Sequence, residues 1–280
     1  MATCLESYEM RSCLFCGTTA GPATDEHVIP KWARDAFDIQ GWLTVSSSDS
    51  PGSGRKQVGR LQHLNIVFKG GICQRCNNDW LGSIERKVQP LLEPMALARP
   101  TVLEASEQAL LALWAVKTCL LLELAIRQKY PGRRAVEGYM GSSPELAWLW
   151  KKNAPPPRSM VWLGCWDCQR TVPMNYEPSS AELPTVDGSP LTGHLTTFTL
   201  GFVAFQVFTV DFVAAELRGA PVWNTRPPES LDDALPRIWP PLMVVPDVSW
   251  PPSAFANGDW RRLVTWEGRL RSHGDNGQPA

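Results

Sequence analysis

Two Cys-x-x-Cys pairs stand in the first third of the 280-residue chain, Cys13/Cys16 and Cys73/Cys76. Each pair can form a tight turn that presents two thiolates to one ion, and zinc accepts four sulfurs in a closed structural site. The alternatives are two disulfides or four unrelated thiols. Because Met1–Met10 contains two glutamates and no hydrophobic run, we expect no signal peptide and a reducing cytosol, where metal binding is favoured over disulfides. The spacing therefore predicts a shared structural Zn²⁺ in a cytoplasmic protein.

A run of ionisable residues, Asp25-Glu26-His27, lies between the two pairs. A carboxylate can bind a hard divalent cation, and a neighbouring imidazole can take a proton from water. In an extended segment, Asp25 and His27 share one face and Glu26 lies on the other. If a turn intervenes, Glu26 and His27 can approach one ion. The structural alternative is a surface turn in which Thr24 or Asp25 caps a helix, but the position between two cysteine pairs favours a functional site.

These motifs, Cys-x-x-Cys, then Glu-His-Val-Ile-Pro, then Cys-x-x-Cys-Asn, resemble the HNH endonucleases, and among them a bacterial or phage subgroup. The resemblance covers residues 11–90, about a third of the chain. It implies a ββα-metal fold, in which an acidic-His pair ends the first strand and a structural zinc on two cysteine pairs staples the motif.

The resemblance also implies roles for individual residues. Glu26 would ligate a catalytic Mg²⁺ or Mn²⁺, His27 would be the general base, and Asn77 would complete the metal site. Asn65 is the candidate for the asparagine that orients the histidine, with His63 as an alternative participant. The chain departs from the family pattern in having Glu rather than the more frequent Asp before the histidine, and in the longer distance from Asn65 to the second cysteine pair.

The formal net charge of the chain is −1, so the protein is not a polycation that binds nucleic acid through its overall charge. Between Pro51 and Asn78, however, there is no Asp or Glu. An acid-free basic stretch suits binding to a phosphate backbone, and we expect nucleic acid, in particular DNA, as the partner. The alternative is an ordinary solvated loop. The cations of this stretch are Arg55, Lys56, Arg60, Lys69 and Arg75.

Several elements must position these side chains. The resemblance implies a strand that ends at His27. A helix is expected after Cys76, with Asn77 at its N-terminus, where the helix dipole favours phosphate. The long separation of the cysteine pairs predicts an inserted element. Within it, the Ser- and Gly-rich run over residues 46–54 is typical of a flexible loop.

Beyond the cysteine motifs, helical periodicity predicts a long helix over Glu107–Tyr130, ended by Pro131-Gly132, in which Cys119 is a core residue. Lys117 and Glu123 interrupt its apolar surface, so we expect a buried core helix and no membrane span. A second short helix is expected over Pro144–Lys152.

From residue 158 onward, the pattern predicts strands at Met160–Leu163 and in a pair within Leu195–Phe212. Pro173–Pro190 is polar and is predicted to be a loop. Cys165 and Cys168 are interpreted as structural, because no redox-type βαβ context surrounds them.

The fold class expected from these patterns is α+β. An N-terminal HNH-like zinc-binding domain (1–95) would precede a mixed helical, then β-rich domain of unknown role (96–268) and a flexible tail (269–280). The leading functional hypothesis is a metal-dependent HNH-type endonuclease that hydrolyses phosphodiester bonds. A rival is a non-catalytic zinc-binding module that binds nucleic acid or a protein. A third is a zinc-stapled structural protein whose tryptophan-rich half contacts a partner. The sequence does not determine the oligomeric state.

Overall fold

The computed structural model describes residues 12–19, 21–36, 43–47, 56–61, 66–129, 143–156, 159–165, 175–184, 190–210, 236–239 and 247–250. For residues 34, 43–47, 56–61, 129, 143, 175–184, 190–193 and 210 the backbone alone is described. The predicted tail, 269–280, lies outside the described residues.

The described helices are α1 (Lys31–Ala36), a π-helical segment (Arg75–Leu81) that continues into α2 (Gly82–Ala96), α3 (Ala105–Lys129) and α4 (Ser143–Lys152). The described strands are β1 (Ala23–His27), β2 (Leu43–Ser47), β3 (Lys56–Leu61), β4 (Val67–Cys73), β5 (Thr101–Leu103), β6 (Met160–Cys165), β7 (Asn175–Pro184), β8 (Pro190–Leu200), β9 (Val203–Val210), β10 (Arg237–Trp239) and β11 (Val248–Trp250). The expected α+β class is confirmed.

β1 and β4 form a two-stranded antiparallel sheet, and the π-helical segment and α2 follow β4 directly. The register pairs Ala23 with Cys73 and His27 with Val67. An irregularity between Thr24 and Glu26 leaves β4 with two more residues than β1 over this interval. Such a bulge sharpens the local twist of a strand pair, and here it lies beside the predicted site.

The segment between the two cysteine pairs does carry an inserted element, which comprises α1, β2 and β3. Strands β2 and β3 join a seven-stranded sheet of order β10-β6-β9-β8-β7-β2-β3. In this sheet β2 lies parallel to β7, and the other pairings are antiparallel. The division at residues 95/96 stays a prediction, while strands from both sides of it share this sheet.

Helix α3 contacts the β1–β4 sheet, the seven-stranded sheet and the antiparallel pair of β5 and β11 in the hydrophobic core. Its Trp114 lies 5.9 Å from the ring of Phe198 and 5.7 Å from that of Phe205, on β8 and β9. The helix is long and apolar enough to cross a membrane, but 83% of its most apolar window is buried inside the protein. Cys119 is buried as expected. The interpretation as a core helix is therefore confirmed.

Two expectations from composition are wrong. Pro173–Pro190 was predicted to be a loop, but β7 occupies Asn175–Pro184 and pairs with β8 from Tyr176 to Pro184. Ser46 and Ser47, predicted to begin a flexible loop, are the last two residues of β2. In both cases hydrogen bonds to neighbouring strands satisfy the backbone, so pairing overrides a weak local preference for strand.

Candidate metal centre and adjoining site

Four cysteine side chains, Cys13, Cys16, Cys73 and Cys76, lie together near the N-terminus. Their sulfur atoms are all within 4.8 Å of one another, and Cys16 Sγ lies 3.7 Å from Cys73 Sγ. A tetrahedral zinc with Zn–S bonds of about 2.3 Å separates its sulfurs by about 3.8 Å. A disulfide requires about 2.05 Å, and all four cysteines are free. The predicted cluster is confirmed as a group that could hold a metal ion such as zinc.

The first cysteine pair forms a closed turn attached to β4. Gly17 N–H donates to Cys13 O at 2.8 Å, and Gly17 has a φ of +72°, a left-handed conformation that glycine adopts without strain. Leu14 N–H donates to Gly71 O at 3.1 Å. Because this bond connects the turn to the bulged part of β4, it brings the first pair beside Cys73.

The pKa values of Cys13 and Cys76 indicate how these thiols would respond to a bound cation. Burial raises the pKa of Cys13, but hydrogen bonds from the backbone of Cys16, Cys73 and Phe15 outweigh it, and the pKa falls to about 7. Burial and the neighbouring sulfurs raise the pKa of Cys76 well above that of a free thiol. Four adjacent thiols, of which those of Cys13, Cys73 and Cys76 are buried, cannot all ionise without a positive charge, which a bound zinc ion would supply.

An aromatic cluster packs against the cysteine turn and holds α4 in place. Trp80 lies edge-on to Phe15 at 5.0 Å and to Trp150 at 5.3 Å between ring centroids. The indole N–H of Trp80 donates to Asn153 Oδ1 at 3.0 Å. The guanidinium of Arg75 lies 5.7 Å from the centroid of Trp150. Residues from the helical region thus buttress the metal centre.

The acidic-His segment is extended, because it is the end of β1. Asp25 and His27 are exposed, whereas Glu26 is only 5% exposed. This matches the extended alternative, in which Glu26 faces away from the other two. On β4, Val67 pairs with His27, and Lys69 belongs to the bulged part of the strand and is exposed. His27 and Lys69 are thus both accessible to solvent on this strand pair.

Asn77 fastens the π-helical segment to β1. Its Nδ2 donates to Thr24 Oγ1 and to the Asp25 carbonyl, both at 2.9 Å. The Thr24 hydroxyl in turn donates to Ile72 O at 3.0 Å. Since the hydroxyl and the carbonyl both act as acceptors, they fix the orientation of the Asn77 amide. The residue thus positions the strand two residues before His27.

Glu26 faces the protein interior, where it meets Lys117 of α3. The Nζ of Lys117 lies 3.6 Å from Glu26 Oε1 and donates to Glu85 Oε1, on α2, at 3.2 Å. The Lys117 side chain is fully buried. Burial raises the pKa of Glu26 to about 7, an effect that repulsion from Glu85 strengthens and attraction to Lys117 opposes. We call these three residues the Glu26–Lys117–Glu85 cluster.

This arrangement does not fit a catalytic divalent ion on Glu26 and Asn77. The Glu26 carboxylate is engaged by an ammonium group, and the amide NH₂ of Asn77 faces β1. At an effective dielectric of about 20, a dication about 4 Å from the Lys117 ammonium would be repelled by roughly 8 kcal/mol. Glu26 and His27 also point to opposite sides of β1.

The other predicted residues lie on different elements. Lys69 on β4 and Arg75 on the π-helical segment are exposed. Lys56 and Arg60 belong to β3, at the edge of the seven-stranded sheet, where the backbone alone is described. Asn65, His63 and Arg55 lie outside the described residues, so their predicted roles stay predictions. Cys165 is on β6, and its partner Cys168 lies outside the described residues.

Sequence reasoning did not find Lys117, Glu85 or Gln128 as neighbours of the site. The Gln128 side chain accepts from Lys69 N–H and donates to Lys69 O, each at 2.8 Å, so it holds β4 from the end of α3. The available signal was Lys117 itself, a charge in an apolar helix, which requires a partner when buried. No family model, curated protein or solved structure matches this chain.

Proposed function

We propose that this protein is an HNH-type endonuclease that hydrolyses phosphodiester bonds of nucleic acid, with DNA as the expected substrate. One observation carries the proposal. A pair of antiparallel strands and a following helix, joined by the four cysteines, presents His27 to solvent at the end of β1 and fixes that strand through Asn77. The motif resemblance gives these same residues to a nuclease site.

In this proposal His27 acts as the general base. Its imidazole takes a proton from a water molecule, whose oxygen forms a bond to phosphorus while the bond to the leaving oxygen breaks. The leaving oxygen keeps the bonding electron pair and takes a proton from solvent, and the imidazolium returns its proton to solvent. Lys69, exposed on the bulged part of β4, contributes positive charge near the phosphate. No step is assigned to a divalent ion, because Glu26 is engaged by Lys117.

Zinc on the four cysteines would hold the scaffold and take no part in the reaction. Four thiolates complete the tetrahedral coordination of zinc, so no position is left for water or substrate. The four cysteines contribute by positioning the site, since Cys73 and Cys76 flank the junction between β4 and the segment that carries Asn77.

Nicking of supercoiled plasmid DNA tests the proposal. We expect zinc-loaded wild-type protein to nick the plasmid, and His27→Ala to lose at least about 100-fold in rate, as expected for removal of a general base. The zinc content of the variant should be unchanged. His273→Ala, which removes a histidine of the C-terminal tail, is the matched control. Wild-type rates in His27→Ala would exclude His27 as the base.

The second candidate is a non-catalytic zinc-binding module that binds nucleic acid or a protein. The observation that favours it is the neutralisation of Glu26 by Lys117 in the interior. For nucleic acid, it predicts no cleavage with or without Mg²⁺ or Mn²⁺, and binding that His27→Ala leaves unchanged. Gel-shift and nicking assays on the same preparations separate the two candidates.

A further inference from the structure

The most unusual charge in the described structure is the ammonium group of Lys117. It lies in the middle of α3, a helix that packs mostly apolar residues into the core, and its side chain is fully buried. A buried ammonium is retained only where carboxylates compensate it. Here two carboxylates do so, and each comes from a different element, Glu26 from β1 and Glu85 from α2.

The two carboxylates are not equivalent. Lys117 donates a hydrogen bond to Glu85 at 3.2 Å, and the Glu85 side chain is 23% exposed. Glu26 is more deeply buried, its Oε1 has no hydrogen bond, and the ammonium 3.6 Å away is its charge partner. The cation next to the Glu26 carboxylate is therefore the ammonium group of Lys117, a side chain of the protein itself.

We infer that the Lys117 ammonium is the cation that pairs with the Glu26 carboxylate, and that it occupies the position in which a divalent ion would otherwise bind Glu26. Lys117 is then a positioning residue. It fixes the inward face of β1, and so the strand end that presents His27 on the outward face. The inference deepens the proposed function, on which it rests, by specifying that the site carries no Mg²⁺ or Mn²⁺ on Glu26.

Manganese binding to the full-length, zinc-loaded protein tests the inference without reference to activity. Free Mn²⁺ is measured by electron paramagnetic resonance during titration of wild-type protein and of Glu26→Gln. We expect the two titrations to coincide. A Mn²⁺ site that is present in the wild type and lost in Glu26→Gln would overturn the inference.

A second variant tests whether Lys117 occupies a cation position. In Lys117→Ala the two carboxylates remain without their ammonium, and we expect Mn²⁺ to bind at least about tenfold more tightly than to wild type. The double variant Glu26→Gln/Lys117→Ala should lose this gain. Lys87→Ala, which removes an exposed lysine of α2, is the matched control and should bind Mn²⁺ as the wild type does.

A folded Lys117→Ala protein with no gain in Mn²⁺ affinity would also overturn the inference. If the variant does not fold, as shown by circular dichroism, the comparison of wild type with Glu26→Gln decides alone. Failure of the proposed function is a separate result, because that function depends on the nicking rate of His27→Ala, whereas this inference depends on Mn²⁺ affinity.

Discussion

Replacement of Glu26 by Gln should change how the stability of this protein depends on pH. The substitution keeps the shape of the side chain and removes its charge. Lys117 keeps Glu85 as a partner 3.2 Å away, so the buried ammonium is still paired. The variant therefore isolates the cost of ionising one buried carboxylate.

The magnitude follows from the pKa of Glu26, which burial raises from 4.5 to about 7. Because the folded-state pKa lies above the unfolded one, the folded protein binds more protons between these values. The contribution of Glu26 to the stability of the protein is therefore greatest below about pH 4.5 and is lost as pH rises through about 7. The full effect is about 3 kcal/mol, of which about 2 kcal/mol fall between about pH 5.5 and pH 8. The Glu26→Gln variant has no carboxyl group at this position, so its unfolding free energy does not decrease in this way as pH rises.

The assay is urea unfolding of zinc-loaded wild type and Glu26→Gln across that pH range. Zinc release and the other titrating groups affect both proteins, so the difference between them at each pH reports Glu26. We expect the variant to gain about 2 kcal/mol relative to wild type from pH 5.5 to pH 8. Glu104→Gln, which alters an exposed carboxylate outside the Glu26–Lys117–Glu85 cluster, should show the same pH dependence of stability as the wild type.

A difference between wild type and Glu26→Gln that stays constant over this range would refute the reasoning. It would mean that Glu26 does not change its protonation there on unfolding. A difference of opposite sign, with the variant losing stability as pH rises, would mean that attraction to Lys117 outweighs burial.

Two further substitutions test the zinc site and the hydrogen bonds that hold β1. Cys76→Ser should reduce zinc from about one ion per chain to none and lower the melting temperature, as measured by elemental analysis and calorimetry, while Cys165→Ser keeps its zinc because that thiol is outside the cluster. Equal zinc in the two variants would count against the four-cysteine site. Asn77→Ala removes two hydrogen bonds to β1 and should cost about 1–2 kcal/mol of unfolding free energy, with faster amide exchange in β1. Asn78→Ala, at an exposed neighbouring position, should leave both nearly unchanged, and equal losses in the two would show that Asn77 does not fasten the strand.

Much of the local structure could be predicted because short-range physics decides it. Paired cysteines at this spacing form turns whose sulfurs can meet, and the four sulfurs do meet. A strand alternates its side chains, which is why the exposure of Asp25 and His27 opposes the burial of Glu26. Helical periodicity predicted α3 to within two residues at its start and one at its end. Strand β7 was missed, since its ten residues form a strand through pairing with β8 and β2 rather than through their own composition.

The environment of the candidate site was decided by tertiary structure. The sequence by itself determined that four cysteines could converge, that an extended segment would place Glu26 on the face opposite His27, and that the long apolar helix with Lys117 inside it belongs to the core. It did not determine which partner, because Lys117 is far along the chain from Glu26 and only the packing of α3 against β4 and α2 brings them together. An ion pair between distant residues depends on where whole elements pack, and no local pattern encodes that choice. The tertiary structure thereby decided that the acid beside His27 is paired with a lysine.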